Sequence, residues 1–166
     1  MPLNVEAQAK HTKEWMHEAI QASIKGNVER AKTILRAILK VHPNHVFALN
    51  NLGKIYLDGK EFEKAIALLK KAWKLNPKFY VAGNTLGDAY SQMGEYEKAE
   101  EVLKKIIKMA PDFELSYANL GEVYFRQKKF DKAEKLLKKA LNLMPSLKRP
   151  KLFLSKILEA KKNKPN

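Results

Sequence analysis

Apolar residues recur along this chain at helical spacing and in alternating blocks. Leu49, Leu52, Gly53 and Tyr56 fall three or four residues apart, as on one helix face. Ala65, Leu69, Ala72 and Trp73 mark a second such face. Between them lies Asp58-Gly59-Lys60, a turn containing glycine. The block then repeats. Pro43, Pro77, Pro111 and Pro145 are spaced by 34, and so are Ala31, Ala65, Ala99 and Ala133. Leu52-Gly53, Leu86-Gly87 and Leu120-Gly121 keep the same step, as do Tyr56, Tyr90 and Tyr124. One register divides the chain into units 12–45, 46–79, 80–113 and 114–147. Positions below are counted from 1 to 34 within a unit.

Each unit therefore predicts two antiparallel helices, ended by the proline at position 32. Glycine at position 8 and alanine at positions 20 and 27 are small where two helix backbones approach closely. One pair cannot bury both of its apolar faces, so neighbouring pairs must stack. Half a unit follows Pro145. The register predicts a capping helix over residues 148–161, with Leu154, Ile157 and Leu158 on the core face. Leu152 and Phe153 then lie off that face; they read as ordinary surface apolar residues, with self-association through this helix as the alternative. Residues 1–11 read as an extension of the first helix, and residues 162–166 as a basic, disordered tail.

The spacing of Leu-Gly, Tyr, Ala and Pro over residues 12–147 closely resembles the tetratricopeptide repeat. The first unit departs from it, with Glu18 and Ala22 at positions 7 and 11. The third has Gly83 at position 4, where a bulky residue is usual. The resemblance implies an all-α, right-handed superhelix of antiparallel helix pairs, an α-solenoid. It also implies that the first helix of each pair lines a concave groove, facing it with positions 2, 5, 6, 9, 12 and 13. The groove residues would be Phe47, Asn50, Asn51 and Lys54, then Val81, Asn84 and Asp88, then Leu115, Asn119, Glu122 and Arg126. Asparagine is a poor helix-interior residue, and its amide can hydrogen-bond the backbone of an extended peptide. The implied function is that of a non-enzymatic adaptor binding a segment of another protein. Asp58, Asp88 and Glu122 against Lys54 and Arg126 lead us to expect a ligand of mixed or basic charge. Members of the family that grip acidic chaperone tails share a basic clamp. Here its positions hold Met16, Ile20, Val81 and Thr85 beside a matching Asn51, so the clamp is missing.

Composition narrows the chemistry further. The chain has 166 residues, 45% hydrophobic and 30% charged, which is a globular mix. There are no cysteines, which excludes disulfides and thiol nucleophiles. His42 and His45 form H-x-x-H around Pro43 without a third ligand, so a solvated loop is expected rather than a metal site. No catalytic motif or phosphate-binding glycine loop is present, and no cofactor is expected. The longest apolar run, Ala65 to Leu69, is too short to span a bilayer, and the N-terminus lacks secretory-signal character. A cytoplasmic protein is the expectation.

The formal charge is +14. Lysines and arginines recur late on each second helix, at Arg36, Lys40, Lys70, Lys71, Lys74, Lys104, Lys105, Lys108, Lys138 and Lys139. Glu29, Glu63, Glu97 and Asp131 stand at the starts of those helices, so the arrangement complements the helix dipole. The alternative to a peptide groove is docking of this lysine stripe and the basic C-terminal residues on nucleic acid, a ribosome or an anionic membrane.

Overall fold

The computed structural model describes residues 5–162, with side chains from residue 11 onward. Among the described residues there are nine helices and no strand. They are α1 Val5–Ile24, α2 Val28–Val41, α3 Val46–Asp58, α4 Phe62–Leu75, α5 Tyr80–Met93, α6 Tyr96–Met109, α7 Glu114–Arg126, α8 Phe130–Leu143 and α9 Lys148–Lys162. They form two compact units, α1–α4 and α5–α9. No described helix is long and apolar enough to cross a membrane.

Helix ends follow from the punctuation. α2, α4, α6 and α8 each stop two residues before a proline, whose ring drives the preceding residue out of the helical region. Each intra-pair turn has one residue at positive φ, always at position 15: Gly26 at 75°, Lys60 at 60°, Gly94 at 87° and Lys128 at 58°. In the Asp58-Gly59-Lys60 turn it is thus the lysine, not the glycine, that turns left-handed. Gly59 has φ −81°.

In the first unit, Ala48, Leu49, Leu52, Ala65, Leu69 and Ala72 form the buried seam of α3 and α4. Each large side chain buried there contributes about 1.5–3 kcal/mol. Gly53 lets the helices approach: a Cβ there would stand 2.8 Å from Leu69 Cγ. Ala19, Ala31, Leu35 and Ile38 bury the facing sides of α1 and α2. Arg36 of α2 donates to the Tyr56 hydroxyl of α3 at 2.8 Å.

The second unit repeats this seam. Gly87 faces Leu103 and Gly121 faces Leu137, with would-be Cβ distances of 2.7 and 2.8 Å. The Tyr124 hydroxyl donates to Glu100 at 2.8 Å, tying α7 to α6. α9 packs on α7 and α8. Its buried residues are Pro150, Phe153 and Ile157. This corrects the register extrapolated past Pro145. Leu158 is 57% exposed, Leu154 is only half-buried, and Phe153 is in the core. The cause is aromatic packing: Phe153 meets Phe125 edge-on at 5.1 Å between ring centroids, and Phe125 meets Phe130 at 5.7 Å. Phe153 is therefore not available for self-association, while Leu152 remains exposed. Lys162 belongs to α9 rather than to a tail, and the expected disorder of 163–166 lies outside the described residues.

Candidate functional site

The expected groove residues lie on α3 in the first unit and on α5 and α7 in the second. The two sets have unlike surroundings.

In the first unit an open trough of about 880 Å³ runs between α1, α3 and the loop before α3. Met16, Ile20, Val41, Pro43 and Phe47 supply its apolar lining, and Asn51 closes one side. A second depression of about 400 Å³ shares Ile20 and Asn51 and extends the lining to Ile24, Lys54 and Asp58. Phe47, 56% exposed, and Ile20, 41% exposed, both face this trough. Asn51 spends its amide nitrogen on Phe47 O at 2.8 Å, inside its own helix. Asn50 is buried, with an Oδ1 that has no hydrogen-bond partner.

His45 shapes the trough's edge. Its Nδ1 accepts from the Ala48 N–H at 3.1 Å and so caps α3. Burial, then the charge of His42, hold its pKa below the usual histidine value. His45 is thus a half-buried cap, not part of a solvated loop. Among the described residues no group of three or more His, Asp or Glu is placed to hold a metal ion.

In the second unit the acids are enclosed. Glu122 accepts from Arg126 Nη2 at 2.8 Å and Nε at 3.2 Å through Oε1. Its Oε2 lies 2.8 Å from Nη2 of Arg149, in the first turn of α9. The same nitrogen is 3.5 Å from Asp88 Oδ1. The Glu122 side chain is only 4% exposed and that of Asp88 16%. Burial alone would lower the Arg149 pKa, but the two carboxylates outweigh it and raise it. Asn84, one turn before Asp88, is buried with its Oδ1 unpartnered, and Asn119 Nδ2 reaches the Asn84 carbonyl at 3.4 Å. Val81 is exposed and Leu115 half-buried.

Arg149 and the α1 side of the trough are the residues that sequence reading did not place in the site. Met16 and Ile20 occupy groove positions 5 and 9 of the first unit, which was a usable signal. Arg149 left a fainter one: α9 opens on Lys148 and Arg149 with no acid in its first turn, the unfavourable end of a helix for a cation. Part of the second-helix lysine stripe is engaged within the chain. Lys71 donates to Pro43 O, Lys104 to Glu100 and Lys138 to Glu134.

The sequence matches tetratricopeptide repeat families over residues 25–78, 56–121 and 115–147. No curated protein matches it. Among solved structures, the fold is similar to PilF of Pseudomonas aeruginosa, at 22% identity and a TM-score of 0.81, over 94% of this chain and 71% of that one. It is similar to a MamA protein at 28% identity and a TM-score of 0.73, over 92% and 84%. It also resembles part of a Thermobaculum terrenum O-GlcNAc transferase, at 20% identity and a TM-score of 0.73, over 81% of this chain but 26% of that one. The fold is an all-α solenoid, and with its 34-residue helix pairs matched from residue 25 to residue 147, the chain belongs to the tetratricopeptide repeat family.

Proposed function

We propose that the chain is a non-catalytic protein-interaction scaffold that binds a segment of a partner protein along its first helices. The open trough carries this reading. It combines a volume near 880 Å³ with exposed Phe47 and Ile20, which suit one or two apolar anchors of a peptide. Lys54 and Asp58 at its far end suit flanking charges of either sign. In the second unit Asn84, Asp88, Asn119, Glu122 and Arg126 would contribute only where the ligand competes with contacts already made inside the chain. Asn50 is too enclosed to reach a ligand without movement, so the apolar pair is the better anchor.

The test is a displayed-peptide selection on the wild-type chain, followed by affinity measurement on variants. Phe47→Ala combined with Ile20→Ala should weaken selected peptides at least tenfold, about 1.4 kcal/mol or more. Leu158→Ala, an equally exposed apolar residue on α9, should leave them unchanged. Equal binding by all three proteins would dispose of the trough as the site.

A further inference from the structure

The Asp88–Glu122 pair poses a chemical question that the trough does not. Two carboxylates from neighbouring first helices lie close enough to share one arginine nitrogen, and the Glu122 side chain is almost fully buried. Arg126 already pairs with Glu122 Oε1, but two acids this close call for a second cation, because an uncompensated buried charge is strongly unfavourable. The chain supplies Arg149. We propose that Arg149 is an internal plug, occupying a guanidinium site that an arginine of a partner segment takes in its place.

Three observations make the contact exchangeable rather than merely structural. Arg149 engages both acids through Nη2 alone, with Asp88 at 3.5 Å, whereas a well-set guanidinium pairs through two parallel bonds. Its side chain is 48% exposed, so the site opens to solvent on the side from which an incoming arginine would arrive. Asn84 stands one turn before Asp88 on the same helix face, 7% exposed, with an Oδ1 that no donor reaches. A guanidinium carries five N–H donors, enough for both acids, and the enclosed Asn84 Oδ1 takes one only if its side chain turns toward Asp88. Arg149 also starts from a handicap, as a cation in the first turn of a helix.

Release of Arg149 does not require α9 to undock. Phe153, Ile157 and Pro150 hold that helix by burial, and Lys161 bridges to Asp131 and Glu134, each at 2.8 Å. Only the Arg149 side chain has to swing outward. The plug also imposes selectivity. An acidic segment gains nothing from the site, and a neutral one cannot replace the lost charge.

This inference extends the interaction reading to the second unit, but it uses α5, α7 and α9 and none of the trough residues. Its failure would leave the trough reading standing. The test uses the full chain and a fluorescein-labelled Gly-Arg-Gly-Arg-Gly peptide at low salt, read by anisotropy. Arg149→Gln should tighten binding at least fivefold. Lys151→Gln, which removes the same charge from the exposed side of α9, should change it less than twofold. Adding Glu122→Gln to Arg149→Gln should abolish the gain. Equal affinities for Arg149→Gln and Lys151→Gln, or a gain that survives Glu122→Gln, would overturn the proposal. A wild-type measurement guards against a folding defect in the variants. At saturating peptide, the Arg149 Nε–H resonance should move to its solvent-exposed position, and a resonance that stays put would refute the exchange.

Discussion

Replacing Gly53 by alanine sets two known effects against each other. In an isolated helix the change would stabilise by about 1 kcal/mol. Here the added Cβ would stand 2.8 Å from Leu69 Cγ, 3.0 Å from Leu69 Cδ2 and 3.4 Å from the Ala65 carbonyl oxygen. Leu69 is fully buried, and its Cγ cannot swing aside as a side-chain tip would. Overpacking of this kind costs about 1–3 kcal/mol. The expected net effect is a loss of about 0–2 kcal/mol. Leu69→Ala alone should cost about 2–5 kcal/mol through the cavity it leaves. The double variant decides the issue, because removing Leu69 removes the obstacle and the new methyl partly refills the space. It should be about 1–3 kcal/mol more stable than the two single losses added together. Both tryptophans, Trp15 and Trp73, lie in the first unit, so urea unfolding followed by their fluorescence reports that unit. Additivity to within about 0.5 kcal/mol would refute the claim that this glycine exists for helix–helix approach.

Three further outcomes follow from the same contacts. His45 caps α3 as a neutral acceptor and its folded pKa lies below 6.5, so its stabilisation is present above pH 6.5 and lost as pH falls through the folded value. Melting curves between pH 7.5 and 5 should show that loss, and His45→Asn, which caps without titrating there, should reduce it. Hydrogen bonds from Lys138 and Lys161 hold the Glu134 pKa at about 2, so its contribution is complete above about pH 4.5 and disappears as pH falls toward 2. Carboxyl titration by NMR should find that midpoint, and Lys161→Gln should raise it. Phe153→Ala should destabilise the second unit by about 3 kcal/mol, and Leu158→Ala by no more than about 0.5 kcal/mol. The reverse order in thermal denaturation would reinstate the extrapolated register for α9.

The helix pairs were legible because repetition multiplies a weak signal. One Ala or one Pro says little, but four of each at a fixed step fix the phase of every helix from α1 to α8. That phase ends with the last full repeat. α9 packs on α7 and α8, and at the end of α7 it meets the ring of Phe125. A large aromatic seated there outweighs the leucines, so the buried face keeps the expected Ile157 but exchanges Leu154 and Leu158 for Phe153. The left-handed lysines were hidden for a different reason. Lys60 and Lys128 hold a conformation that local sequence would assign to glycine, and only comparison with Gly26 and Gly94 at the same position reveals it.

The state of the site was hidden for a third reason, which lies in the repeat itself. Equivalent positions 34 residues apart fall on successive first helices, so a residue type used twice in succession meets its own kind. At position 9 the chain runs Ile20, Lys54, Asp88, Glu122. In the first unit an apolar residue stands opposite a lysine; neither demands a partner, and the space between α1 and α3 stays open. In the second unit two acids in succession crowd like charge onto α5 and α7, which pack against one another. That crowding must be neutralised: Arg126 of α7 takes one oxygen of Glu122, and the arginine that spans both acids arrives from α9, outside the repeats altogether. Open and closed faces thus arise from a single position read in four copies. What decides between them is not any one residue but whether its neighbour one repeat along has the same sign.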